Sequence, residues 1–319
     1  AMDGLPDVAC GQCIAIGSQS LGATLTATAG GAVAIGHNAL IALTSGAANT
    51  FVGYLSGKSI VDGINNACFG YKSGEDLTGS YNTFVGMNAG LNSTTTNSST
   101  GVGNGALGGS ITTGIKNTAL GAGAGSDVTD GVKNIFIGTG AGSTTVSSSS
   151  SDNCILIGDA TYQSGNHVDN EIIIGQGAVG QGTNTIMLGN SSVHSSAGLF
   201  CYDTGITSPS DVRIKKDIED SGIGLDFIKS LRTVTYKRLH ESEWPDEIRR
   251  EGVITKPDNW EEQTEVGLIS QEVKTVMDEM SIDMQGHSVN PYGAEHIKYV
   301  AFVTPLIKAV QELSAKVKA

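Results

Sequence analysis

Ser210 and Lys215 stand five residues apart in the run Ser208-Pro209-Ser210-Asp211-Val212-Arg213-Ile214-Lys215-Lys216-Asp217-Ile218. Two kinds of chemistry fit that spacing. In the first, Ser210 N-caps a helix, Asp211 sits near its positive end, and Lys215 and Lys216 are solvated. In the second, Ser210 is a nucleophile. A serine hydroxyl attacks poorly until a base removes its proton. A lysine can be that base if burial brings its pKa down toward neutrality. A turn or an early helix would bring the two side chains into contact, and no histidine is needed.

Other reactive groups carry less. The 12 Asp and Glu of residues 1–209 are scattered, many in turns such as Asp62-Gly63 and Asp130-Gly131. Turn chemistry accounts for these, and no pair stands out as the two carboxylates, roughly 5–10 Å apart, that glycoside hydrolysis requires. His37, His167 and His194 are isolated and read as surface residues. Cys10 and Cys13 form a lone CxxC with no second pair or histidine at zinc spacing. Cys68 and Cys154 lie in apolar runs that end at glycine and read as buried thiols, with a metal or disulfide role as the alternative. No metal site and no cofactor are expected.

Composition divides the chain at Pro209. Residues 1–209 hold 38 of the 44 glycines and only 16 charged residues, whereas residues 210–319 hold 35 charged residues. One uniform globular domain is excluded, and so is collagen, because glycine does not fall at every third position. The net charge of −13, without a basic cluster, argues against nucleic acid and anionic membrane as partners. No apolar stretch approaches the roughly 18 residues of a membrane span, and the start, Ala1-Met2-Asp3, lacks the basic and apolar regions of a signal peptide.

A short apolar run closed by glycine, often led by Asn-Thr, recurs eleven times. Examples are Asn49-Thr50-Phe51-Val52-Gly53, Asn82-Thr83-Phe84-Val85-Gly86 and Asn134-Ile135-Phe136-Ile137-Gly138. From Gly17 to Gly189 the glycine-to-glycine steps are 19, 17, 17, 16, 17, 18, 17, 20, 17 and 14. A near-constant step of this kind marks a solenoid. Its length is too short for a helix pair, which needs about 34 residues, and suits two short strands and two turns. One such rung buries little alone, so rungs must stack. The column remains thin, and chains in this position commonly self-associate. Asn92–Ser99 and Ser147–Ser151 read as bulged loops, and Asn92 and Asn97 match a weak glycosylation sequon.

Near the C-terminus Tyr299, Val303, Leu306, Val310, Leu313 and Val317 step by 4, 3, 4, 3 and 4. That is the spacing of a coiled-coil seam; an amphipathic helix packed on its own domain is the alternative. Thr304-Pro305 suits the helix start. Residues 225–231 and 267–279 read as amphipathic helices, and 240–262 as a loop or arm.

Two resemblances sharpen this reading. Over roughly residues 10–190 the repeat resembles the head repeats of trimeric autotransporter adhesins. It resembles even more the Asn-Thr-x-x-Gly-x-x-Ala-Gly repeats of viral and phage fibres. Residues 208–313 resemble the C-terminal intramolecular chaperone auto-processing domain of phage endosialidases, tail spikes and neck appendages. The carrying motifs are Ser210-Asp211-Val212-Arg213-Ile214-Lys215, then Gly224-Leu225 through Val234-Thr235-Tyr236, with Thr233 in place of the usual proline. Gly267-Leu268-Ile269-Ser270-Gln271-Glu272-Val273 and residues 306–313 follow. This resemblance implies self-cleavage between Pro209 and Ser210, with Ser210 as nucleophile and Lys215 as its general base. Asp211 and Arg213 match the motif without an assigned role.

The expectation is a mainly β, then α chain. Residues 1–190 form a trimeric parallel β-roll or β-solenoid of about eleven rungs, and 191–209 link it to the cleavage site. Residues 210–319 form an α-rich chaperone domain ending in a short three-stranded coiled coil. The whole would be the distal part of a homotrimeric virion fibre, assembled in the host cytoplasm. It would bind a host-surface glycan or protein, and neither nucleic acid nor membrane. A trimeric bacterial adhesin head without proteolysis and a receptor-binding depolymerase are the alternatives.

Overall fold

The computed structural model describes residues 12–26, 28–111, 113–143, 150–189, 210–249, 256, 262, 264–290 and 293–318. The chain divides into two compact units, Ala1–Ser192 and Val193–Ala319.

Each motif copy in the first unit is a three-residue strand. These are β1 (Ile14–Ile16), β2 (Val33–Ile35), β3 (Thr50–Val52), β4 (Ala67–Phe69), β5 (Thr83–Val85) and β6 (Thr100–Val102). They continue as β7 (Thr118–Leu120), β8 (Ile135–Ile137), β9 (Ile155–Ile157), β10 (Ile172–Ile174) and β11 (Ile186–Leu188). They form one parallel sheet in chain order, and equivalent motif positions pair, as Thr50 with Ala67 and Phe51 with Cys68. This is a parallel β-solenoid. Side chains alternate across a strand, so the central residue of β2 to β10 points inward and is buried. The sequence of inward residues is Ala34, Phe51, Cys68, Phe84, Gly101, Ala119, Phe136, Leu156 and Ile173.

The second half of each rung is a turn, where the repeat length suggested a second strand. Residues there alternate into left-handed backbone, as at Asn38 (φ 57°) and Leu40 (φ 52°). An extended strand does not admit that conformation. The turns still stack: the Leu40 N–H donates to the Ser56 carbonyl at 3.1 Å and that of Gly57 to Ser73 at 3.1 Å. Volume is balanced within the rung. Where the strand centre is Phe51, Phe84 or Phe136, the residue six positions on is Gly57, Gly90 or Gly142. A Cβ at Gly57 would lie 2.3 Å from the Phe51 ring. Where the centre is Ala34 or Gly101, that position holds the buried Leu40 or Leu107. Interiors tolerate neither voids nor overlap.

The strand-closing glycines serve another contact. Gly53 has φ +145°, and a Cβ on it would lie 2.0 Å from the Gly70 carbonyl oxygen of the next rung. Gly36, Gly70, Gly86 and Gly103 repeat the arrangement.

The motif asparagines form a buried ladder through Asn49, Asn66, Asn82, Asn117 and Asn134, with Ser99 taking one step. Asn66 Nδ2 donates to Asn49 Oδ1 at 3.1 Å and to the Gly79 carbonyl at 3.0 Å. Asn66 Oδ1 accepts from the backbone N–H of Asn82 at 3.0 Å. The polar segment 92–99 is a regular rung and not a bulge. Ser93, Thr96 and Ser99 are buried, and Thr96 Oγ1 donates to the Gly114 carbonyl at 2.6 Å. Of the second expected loop, residues 147–149 lie outside the described residues, and Ser151 is buried. Cys68 and Cys154 are free, buried thiols, whereas Cys13 is disulfide-bonded; Cys10 lies outside the described residues.

The second unit mixes helices with short antiparallel pairs. It comprises α1 (Leu225–Ser230), β12 (Val234–Lys237), β13 (Thr264–Gly267), α2 (Ser270–Glu279), β14 (His287–Val289), β15 (Glu295–Ile297) and α3 (Val303–Lys318). β12 pairs with β13 and β14 with β15. Its small core joins Phe227, Val273, Met277 and Phe302, with the Phe227 and Phe302 rings stacked at 6.0 Å. The Leu225 N–H donates to Glu312 Oε2 at 2.8 Å, tying α1 to α3.

Two stability predictions follow from the solenoid. Asn66→Ala leaves the Asn82 amide and the Gly79 carbonyl without their partner, at about 1–3 kcal/mol for each buried unsatisfied group. At about 2–4 °C per kcal/mol the melting midpoint should fall by several degrees in a circular-dichroism scan. Asn66→Ser should lose less, because Ser99 already accepts a rung N–H, that of Asn117 at 3.2 Å; equal melting of all three proteins would refute the ladder.

Glu171 occupies the same column, fully buried, with its carboxylate accepting from the Gly182 N–H at 2.7 Å. Burial raises its pKa, partly opposed by those backbone donors. A carboxyl with a raised folded pKa stabilises the fold at low pH, and that contribution is lost as pH rises through the folded value. Glu171→Gln should therefore flatten the fall of melting temperature above about pH 4. Parallel pH profiles for both proteins would exclude this role.

Candidate functional site

Residues 210–222 are exposed throughout, so local bonds shape this segment. Asp211 has extended backbone, and its Oδ1 accepts from the Arg213 N–H at 2.8 Å, capping a single 3₁₀ turn over Val212–Ile214. The Ile214 N–H donates to the Asp211 carbonyl and that of Lys215 to the Val212 carbonyl, both at 3.2 Å. Five extended residues would span roughly 17 Å. The turn instead folds the chain back, and Lys215 Nζ donates to Ser210 Oγ at 2.7 Å. Ser210 caps no α-helix; the capping role falls to Asp211.

Asp211 and Arg213 form a forked pair. Arg213 Nε lies 3.0 Å from Asp211 Oδ1 and Nη2 2.6 Å from Oδ2. The Arg213 guanidinium holds the Asp211 carboxyl below its usual pKa, and Asp211 raises that of Arg213. Both are exposed, so the pair contributes little to global stability.

The arrangement can move a proton between a hydroxyl and an amine. With Lys215 charged, the ammonium donates to Oγ; with Lys215 neutral, Nζ can accept the hydroxyl proton. Burial of the lysine is the usual means of favouring the neutral form, and the single chain does not bury it. Pro209, on the other side of the implied scissile bond, lies outside the described residues.

The expected seam residues lie far along the second unit. Val303, Leu306, Val310, Leu313 and Val317 are on α3 and are 51–80% exposed, while Pro305 and Ala309 on the adjoining face are buried. The unit's own core thus leaves the apolar stripe uncovered. Tyr299 departs from the stripe. It belongs to a 3₁₀ turn, Tyr299–Phe302, and its hydroxyl accepts from the Leu268 N–H at 2.9 Å. Thr304 is not the cap, since the helix already includes Val303.

Sequence reasoning missed several exposed apolar groups. Ile307 extends the stripe on α3, and Val212, Ile214 and Ile218 flank the Ser210–Lys215 pair. On the outer face of the solenoid sheet Ile16, Phe69, Val85, Leu120, Ile174 and Leu188 are exposed at the third position of their strands. The signal was present, because that motif position is apolar in all eleven copies. His37 is not isolated: its ring stacks on Tyr54 at 5.4 Å, and Tyr54 stacks on Tyr71 at the same spacing. His194 lies outside the described residues.

Among the described residues no cluster of three or more His, Cys, Asp or Glu could hold a metal ion, and no helix is long and apolar enough to cross a membrane. No curated protein and no solved structure matches the chain. A family model does: residues 210–282 match the chaperone of endosialidase, a family whose domain is a self-cleaving intramolecular chaperone. The match begins at Ser210 and spans less than a quarter of the chain.

Proposed function

We propose that the chain is the distal part of a homotrimeric viral or phage fibre that attaches to a host surface glycan or protein. Its second unit templates trimer assembly and then releases itself by cutting between Pro209 and Ser210. The observation that carries this reading is the 2.7 Å contact between Ser210 and Lys215, at the first residue of the family match.

The chemistry balances with the chain's own groups. Neutral Lys215 takes the Ser210 hydroxyl proton as Oγ attacks the Pro209 carbonyl carbon, closing a five-membered ring. The C–N bond breaks, the lysine proton passes to the departing Ser210 nitrogen, and an ester joins Pro209 to Oγ. Water hydrolyses the ester, leaving a carboxylate on Pro209 and a free amine on Ser210. Lysine acts here as general base and then general acid.

Two apolar surfaces support the homotrimer. The apolar third-position column, exposed at six strands and half-buried at the other five, runs along the solenoid sheet, and the α3 stripe has coiled-coil spacing. Patches of this extent on soluble proteins mark association sites.

Mass spectrometry of the expressed chain should find fragments ending at Pro209 and beginning at Ser210. Ser210→Ala and Lys215→Ala should each leave a full-length chain that still trimerises. Cutting of the serine variant at the same bond would remove the mechanism.

Leu306→Asp and Val310→Asp together place charge in the seam, at several kcal/mol if buried unpaired. Light scattering should then report monomers, and cleavage should stop, because the lysine would no longer be desolvated by assembly. A monomeric double variant that cuts at the normal rate would break that link.

A further inference from the structure

Residues 210–222 contribute no buried side chain, so no core contact fixes the turn that joins nucleophile to base. What fixes it is local. Two backbone bonds close the turn, and the Asp211 carboxylate receives both the backbone N–H and the guanidinium of Arg213. We infer that Asp211 and Arg213 are positioning residues for self-cleavage, a forked clamp that holds the 3₁₀ turn closed and keeps Lys215 on Ser210. The inference rests on the proposed roles of Ser210 and Lys215.

Geometry gives the clamp its first effect. Four residues, Asp211 to Ile214, each with two rotatable backbone bonds, separate the reacting side chains, and orientation of this kind is where intramolecular reactions gain much of their rate. A planar fork on a carboxylate is stiffer than a single hydrogen bond, and lysine does not reproduce it.

Charge gives it a second effect. An unpaired Asp211 carboxylate beside the site would favour the ammonium form of Lys215 and oppose its use as a base. Paired with Arg213, it presents almost no net charge. Residues 210–222 are all exposed, and Lys216, Asp217, Glu219 and Asp220 are the other charged groups of the same segment.

The test follows first-order cutting of pulse-labelled full-length chain across a pH series, in trimers isolated by sizing. Asp211→Ala removes cap and fork together and should slow cutting about 10²-fold. Asp211→Asn keeps a cap acceptor and should recover much of that loss. Its rate profile should move to lower pH, because Arg213 is left as a lone cation. Arg213→Ala should slow cutting and move the profile to higher pH, because the carboxylate is left alone; Arg213→Lys should restore the pH midpoint but not the full rate. A merely structural pair would not shift the two profiles in opposite directions. Wild-type rates and midpoints in all four variants would overturn the clamp, and so would loss of trimers in all four, which would assign the pair to folding. Failure of the underlying reading looks different: Ser210→Ala or Lys215→Ala would still be cut at Pro209–Ser210.

Discussion

The rungs of the solenoid approach so closely at the strand ends that a single methyl group does not fit. At Gly53 the next carbonyl oxygen occupies the place of a Cβ, and the backbone there has a φ that L side chains resist. This contact sets the registration of everything else. With the corner fixed, equivalent residues stack directly, and a buried asparagine can reach the next amide in its column at 3.0 Å. The same stacking lets three-residue strands make a sheet, although each alone is too short to persist. Core volume is then balanced inside the rung, by Phe against Gly or by Ala against Leu.

That regularity creates a difficulty for assembly. Successive rungs share corner glycines, ladder residues and an apolar third position, so a slip by one whole rung preserves most contacts. Registers that are close in energy compete during folding. Within one chain the covalent path resolves the competition. Between chains of the proposed trimer nothing in the repeat does, and a seed that aligns all three chains at one end supplies the missing term as effective concentration.

How much of this was legible depends on how tightly physics restricts the residue. Corner glycines admit no substitute, so their step survives as a clean period and the solenoid could be read directly. Asn66 was visible but its role was not, because asparagine serves turns as readily as ladders. The Ser/Thr run at 92–99 looked like a loop by composition. The unbroken 17-residue step from Gly86 to Gly103 was the better guide, since a bulge would have lengthened it. The missing second strand had no signature, because Leu40 in left-handed backbone looks like any other leucine. In the second unit the α3 stripe followed from spacing alone, while Tyr299 fell out of it when its hydroxyl found the Leu268 amide. Ser210 and Lys215 were readable as a pair, and Asp211 and Arg213 were not, because their bond to each other depends on the turn.

The exposure of Ser210 and Lys215 is itself informative on the proposed reading. Desolvation is what favours the neutral form of a lysine, so on that reading the pair waits for burial before it can cut. Apolar Val212, Ile214 and Ile218 lie on the same uncovered segment. Covering them by association would also take Lys215 out of water, which turns the completion of assembly into the trigger for cutting. Release of the seed then removes the means by which an unfolded chain could regain its register. On the proposed reading the fibre that remains would be held by the height of its unfolding barrier, and stability of that kind persists without the chaperone that produced it.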